Sequence, residues 1–139
     1  MKNLIELSIF LPNEPGMLAK LLMEMSENNI NLKAISVVET ADYGLILLLV
    51  DKPEICIDFL KESKYEFAST EILPIKYGGD PSILFDIAKV LGESNVNIEY
   101  LYLTVIDNSP FIILRVDNLI KGEKILKKKN LIFLKENDI

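Results

Sequence analysis

Gly44-Leu45-Ile46-Leu47-Leu48-Leu49-Val50-Asp51 is answered 66 positions later (Asp51 to Asp117) by Pro110-Phe111-Ile112-Ile113-Leu114-Arg115-Val116-Asp117. Outward from this pair, at the same offset and without a gap, Leu7, Ile9, Pro15, Leu18, Glu27, Asn29, Asn31, Leu60, Lys61 and Phe67 also meet identical residues. Met17/Ile83, Leu21/Ile87, Met25/Leu91, Ile30/Val96, Leu32/Ile98 and Ile35/Leu101 are close swaps. One unit is therefore written twice, over Leu7–Phe67 and Leu73–Phe133, and a repeat of this kind decides the architecture before any single element does. It sets two domains, 1–70 and 71–139, within a length that otherwise suits one. Each is small for an independent core, so the two are expected to lean on each other.

The chain carries a net charge of −6, most of it in residues 1–70. That charge argues against a nucleic-acid backbone and an anionic membrane as partners. Lys127-Lys128-Lys129, with Lys121 and Lys124, reads as a solvated helix end whose cations complement the dipole. The single cysteine, Cys56, excludes an intrachain disulfide, and its neighbours Ile55, Ile57 and Phe59 place it in the core. No apolar run approaches the length needed to span a bilayer. Met1-Lys2-Asn3-Leu4 leads straight into a strand rather than a signal peptide. The expectation is a soluble, cytoplasmic protein.

Each repeat reads β-α-β-β-α-β. Asn3–Leu11 alternates, with Ile5, Leu7, Ile9 and Leu11 on one face and Glu6 and Ser8 on the other, the pattern of a half-buried strand. Pro12-Asn13-Glu14-Pro15-Gly16 breaks it, and Met17, Leu18, Leu21, Leu22 and Met25 then recur at helical spacing up to Asn28-Asn29. Residues 31–40 and 43–50 pair as strands around Ala41-Asp42. Residues 52–62 form a second helix with Pro53 in its first turn, and 65–68 close the unit. The second repeat follows without a linker: strand 72–77, helix 81–94, strands 98–106 and 110–116, helix 117–129, strand 131–134. The predicted fold is α+β: two ferredoxin-like βαββαβ units, each an antiparallel sheet with both helices on one face. The helix-free face carries Leu45, Leu47 and Leu49, matched by Phe111, Ile113 and Arg115. A face turned to water would be polar, so it is expected to be covered, most cheaply by another copy of the chain.

Catalytic equipment is scarce. The sequence holds no histidine, no metal-ligand cluster and no Gly-rich phosphate loop, and Ser8, Ser26, Ser36 and Ser82 have no imidazole to activate them. Catalytic residues, metals and cofactors are accordingly expected to be none. What remains is the turn Asn13-Glu14-Pro15-Gly16-Met17-Leu18 at a helix start, with Asn29-Ile30-Asn31-Leu32 where that helix ends. Exposed N–H groups at a helix start favour a carboxylate, Gly16 permits close approach, and the amide of Asn13 or Asn31 offers both donor and acceptor to a zwitterion. The plainer reading of the same residues is a helix start and a turn.

Strand, Asn-x-Pro-Gly-hydrophobic-Leu, helix, then hydrophobic-Asn-hydrophobic resembles the ACT domain, and the whole chain is similar to stand-alone tandem ACT proteins. The resemblance implies a non-catalytic regulatory or sensor protein. Its amino-acid ligand would sit between ACT units, on a wall of Asn13, Pro15, Gly16, Met17 and Leu18, with the amide of Asn31 or Asn97 opposite. It further implies a homodimer, with a partner enzyme as the alternative: a regulatory subunit of an amino-acid biosynthetic enzyme. A third reading is a scaffold without ligand. Gly79-Asp80-Pro81-Ser82 departs from the pattern, losing the Asn side chain and the Gly and adding a carboxylate. One site per chain is thus expected, on the Asn13 loop, completed by Asn97 across the pseudo-two-fold. Ala34, Ile35, Ser36, Tyr100 and Tyr102 are candidates for side-chain selectivity.

Overall fold

The computed structural model describes residues 3–39, 43–135 and 138; the turn expected at Ala41-Asp42 lies outside the described residues. Contacts group the chain into two compact units, Ile5–Thr70 and Met1–Leu4 with Glu71–Ile139. Leu4 counts with the second unit because its carbonyl accepts the Ile72 N–H at 3.1 Å. Asn3 does so because it bridges Lys135 in antiparallel fashion and donates through Nδ2 to Glu123 at 3.2 Å.

The first unit runs β1 (Ile5–Pro12), α1 (Met17–Glu27), β2 (Leu32–Glu39), β3 (Tyr43–Val50), α2 (Pro53–Glu62) and β4 (Glu66–Glu71). Its sheet has the order β2-β3-β1-β4, with β3 antiparallel to both β1 and β2. The alternation seen in the sequence sends Leu7, Ile9 and Leu11 of β1 and Ile46, Leu48 and Val50 of β3 into one core. There they meet Leu21 and Met25 of α1 and Cys56 and Leu60 of α2. Pro53 stands at the first turn of α2, where its missing N–H costs no intrahelical bond.

The second unit runs β5 (Leu73–Lys76), α3 (Ser82–Glu93), β6 (Ile98–Ile106), β7 (Ser109–Val116) and α4 (Leu119–Lys127). Only Ile72 separates β4 from β5, as expected of repeats without a linker. Asp107 and Asn108, at φ 49° and 66°, make the two-residue turn between β6 and β7. The Asn118 side chain caps α4 by accepting the Lys121 N–H at 3.1 Å. The core repeats the first one: Leu73, Ile75, Ile87, Leu91, Ile112, Leu114 and Leu126. The sheet is three-stranded, β5-β7-β6. The strand expected at 131–134 is reduced to a bridge between Phe133 and Ile75, held by Lys76 N–H to Ile132 C=O at 2.8 Å and Leu134 N–H to Pro74 C=O at 3.0 Å.

The helix-free face is covered, as expected. Leu47 and Leu49, with Glu6 and Ser8 beside them on β1, are buried in the single chain, as are Phe111 and Ile113. The Glu6 carboxylate within this face is engaged, as its complete burial requires.

Candidate functional site

β1 ends at Pro12, and the chain reverses through Asn13, Glu14, Pro15 and Gly16, all exposed. The turn is held by Glu14 N–H to Pro12 C=O at 2.8 Å and Met17 N–H to Glu14 C=O at 3.3 Å. Gly16 occupies the cap position of α1 in the left-handed region, φ 87°. A Cβ placed on Gly16 would meet nothing within 4 Å, so the space in front of the helix start is open. Met17 and Leu18 follow half-buried and pack against the first core, which fixes the loop to the sheet beneath. The arrangement presents backbone donors and the positive end of a helix, which suit an anion. Its six residues, Asn13 to Leu18, include no histidine, cysteine, serine or lysine. A groove of about 310 Å³ leads away from the loop along α1, lined by Pro12, Met17, Lys20, Glu24, Lys64 and Tyr65 among others. In it the Tyr65 hydroxyl donates to Glu24 Oε1 at 2.9 Å. Burial, then this bond and the nearby carboxylate charge, push the Tyr65 phenol up to about 12.

The corresponding loop of the second unit is built differently. The left-handed glycine is Gly79, φ 91°, three residues ahead of the place that matches Gly16. The Asp80 carboxylate turns back to accept the Ser82 N–H at 2.9 Å. Hydrogen bonds from Ser82 hold the Asp80 carboxyl below its usual range. A carboxylate of the chain itself thus takes a donor at the start of α3.

Asn31 does not join the Asn13 loop of its own unit: the eleven residues of α1 lie between them, about 16 Å of helix. It faces Asp51 instead, donating from its backbone N–H to Oδ1 at 3.3 Å and from Nδ2 to Oδ2 at 3.0 Å, while the Asp51 N–H returns to the Asn31 carbonyl at 3.1 Å. Burial pushes the Asp51 carboxyl up, but the bonds from Asn31 and the nearby Lys52 outweigh it and hold the carboxyl low. Asn97 repeats the clamp: its N–H donates to Asp117 Oδ1 at 3.0 Å and its carbonyl accepts the Asp117 N–H at 3.0 Å. Just beyond each Asn the ladder shifts by a residue, between Leu32 and Ala34 and between Ile98 and Tyr100. The clamp and the shift are one device in two copies, anchoring the start of β2 and of β6. Sequence reasoning saw Asp51 and Asp117 as repeat identities and missed their role. The signal was the constant 20-residue spacing from each Asn.

Of the selectivity candidates, Ala34 is buried and Ile35 exposed. Tyr100 and Tyr102 stack at 6.2 Å between centroids, and the Arg115 guanidinium lies 5.9 Å from the Tyr100 ring. Burial pushes the thiol of Cys56 up to about 11, so it is protonated and inert at neutral pH. Among the described residues there is no cluster of three His, Cys, Asp or Glu able to hold a metal. Nor is any helix among them long and apolar enough to cross a membrane.

The family model of the ACT domain pair matches residues 2–139. No curated protein matches the chain. The crystal structure of protein BT0572 from Bacteroides thetaiotaomicron is similar at 29% identity, covering 98% of this chain and 94% of that one, with a TM-score of 0.88. The regulatory subunit of aspartate kinase from Thermus thermophilus, in its ligand-free form, is similar at 14% identity over 91% of this chain and 93% of that one, TM-score 0.64. The same subunit from Thermus flavus gives 15% identity, 91% and 90% coverage and a TM-score of 0.59. At those two identities the likeness is one of fold.

Proposed function

Because the chain belongs to the family of ACT domain pairs, we propose that it is a cytoplasmic, non-catalytic sensor that binds an amino acid at the Asn13 loop. Asn13, Pro15, Gly16, Met17 and Leu18 form the binding wall. The ligand carboxylate takes the backbone donors at the start of α1, and the Asn13 amide meets its polar groups. Asn31 and Asn97 are the candidate amides for completing the site. The observation that carries this reading is the contrast between the loops: Gly16 starts α1 with open space around its Cα, whereas at α3 the Asp80 carboxylate takes the Ser82 N–H. The reading therefore assigns ligand to the first loop alone.

The test is thermal unfolding against each common amino acid at millimolar concentration. A ligand at about 100 times its Kd stabilises by about 2.7 kcal/mol, which raises the melting temperature by several degrees. One amino acid is expected to do so, and Asn13→Ala is expected to remove the shift. The absence of a shift with every amino acid would remove this reading.

Assembly as a homodimer belongs to the same proposal. It is supported by the edge strand β2, which leaves Leu32, Ile35 and Val37 exposed at 37–41%, a surface suited to pairing. Sedimentation is expected to give twice the chain mass, and a monomer at micromolar concentration would refute the dimer. The alternative, a regulatory subunit docked on an amino-acid biosynthetic enzyme, draws on the fold shared with the Thermus aspartate kinase regulatory subunits. Recovery of a large catalytic partner on the tagged chain, with no amino-acid shift, would favour it.

A further inference from the structure

The second unit contains a cavity of about 320 Å³ between α3 and the end of α4. Its apolar lining is Ile83, Ile87, Leu126 and Leu131, of which Ile87 and Leu126 are almost wholly buried. Asp86, on α3, and Lys129, just past α4, stand at its rim, both exposed. Asn130 follows in the left-handed region at φ 58°. The Lys129 N–H donates to the Leu126 carbonyl at 3.0 Å, so the turn that carries the lysine is fixed to the helix. No side-chain hydrogen bond or ion pair with a described residue engages Asp86 or Lys129. A carboxylate and an ammonium thus flank an apolar floor without neutralising each other.

The repeat supplies an internal control. The equivalent place in the first unit is the groove along α1, where Lys20 stands for Asp86 and Ser63 for Lys129. Tyr65 and Glu24, bonded to each other, replace the aliphatic Leu131 and Val90 there. Both units keep the hollow, but the first is lined by Lys20, Glu24, Lys64 and Glu66 around Tyr65, whereas the second sets one carboxylate and one ammonium beside four aliphatic side chains.

We propose that this cavity binds a small zwitterion with an aliphatic tail, an α-amino acid with a branched or linear apolar side chain. Its ammonium group is held by Asp86 and its carboxylate by Lys129, with the side chain on Ile83, Ile87, Leu126 and Leu131. The volume lies at the lower end of the range for small-molecule sites, about 300–1,000 Å³, which suits a ligand of this size. This site is separate from the Asn13 loop and does not depend on it.

The test is methyl NMR on the full chain, titrated singly with L-leucine, L-isoleucine, L-valine and L-methionine to about 10 mM, the weak end of specific affinity. Expected are saturable shifts of the Ile83, Ile87, Leu126 and Leu131 methyls with at least one of them. The affinity is expected to fall roughly tenfold in Asp86→Asn and again in Lys129→Gln, the worth of one charged hydrogen bond each. Both positions are exposed, so these variants keep the fold. 3-Methylbutylamine and 4-methylpentanoate, which carry one charge each, are expected to bind roughly tenfold more weakly than leucine. No methyl shift with any of the four amino acids overturns the proposal. So does binding that survives Asp86→Asn with Lys129→Gln but is lost in Asn13→Ala, an outcome that leaves the loop site standing.

Discussion

Replacing Gly16 with valine is expected to abolish ligand binding at the first loop and to cost the first unit about 1–3 kcal/mol, the usual penalty for a residue held in a sparsely populated backbone region. Gly16 sits at φ 87°, which a β-branched residue adopts only under strain. The open space around its Cα excludes a clash as the cause, so the effect comes from the backbone. Relief of the strain moves the turn that starts α1, and the donors facing a carboxylate move with it. Gly16→Asn separates the two contributions, because Asn enters the left-handed region at little cost. That variant is expected to unfold close to the parent and to bind at least tenfold more weakly, since its side chain enters the space a ligand needs; tenfold corresponds to about 1.4 kcal/mol. Calorimetric titration with the amino acid found by thermal shift reads both variants. Parent-like affinity in Gly16→Val would show that the ligand sits elsewhere.

The second large effect concerns Glu123, the centre of a network that closes the second unit. Its carboxylate accepts from Lys135 Nζ at 2.8 Å, from Lys127 Nζ at 3.0 Å and from Asn3 Nδ2 at 3.2 Å, and only 17% of its side chain is exposed. Burial pushes its pKa up, but the three donors outweigh burial and bring it to about 2 from an ordinary 4.5. A depressed carboxylate contributes stability above its unfolded pKa and loses it as pH falls through the folded one. The contribution is therefore complete above about pH 4.5 and lost between there and pH 2. Glu123→Gln is expected to cost about 2–3 kcal/mol at pH 7. The variant is also expected to flatten the acid limb of the stability curve, so that parent and variant converge near pH 2. Urea unfolding at pH 7, 4 and 2.5 measures this. An unchanged gap at the lowest pH would mean that packing, and not charge, makes the difference.

The repeat made the order of elements legible, because two copies of one alternating strand and one amphipathic helix confirm each other at every matched position. Ile98–Ile106 was read to the residue, and the glycine of the first loop was placed where a left-handed cap stands. The last strand was read too generously. Leu131 to Leu134 alternates like a strand, but Asn130 in the left-handed region turns the chain away after α4, and only Phe133 completes a bridge. The apolar helix-free face was recognised as needing cover, and Leu47, Leu49, Phe111 and Ile113 are buried. Asn31 and Asn97 were read as amides on offer to a ligand. The aspartates that bond to their backbones, and in Asn31 to the side-chain amide as well, lie 20 residues away, beyond the reach of any local motif. The cavity between α3 and α4 was hidden for the same reason: Asp86 and Lys129 acquire a shared meaning only once the helices lie side by side.

Asn3 and Lys135 are joined by a side-chain hydrogen bond across 132 positions of sequence, and this sets an order of events on the ribosome. Ile5–Thr70 is a contiguous run, so its sheet and helices can pair as soon as they emerge, and domains generally fold as such units, N-terminal first. The second unit cannot finish in that way. Leu4 leaves the tunnel early and waits, its carbonyl unmatched until Ile72 arrives, while Asn3 waits longer still for Glu123 and Lys135. The stretch around Lys135 captures Asn3, so the second unit is closed by two segments that leave the ribosome on either side of the whole first unit.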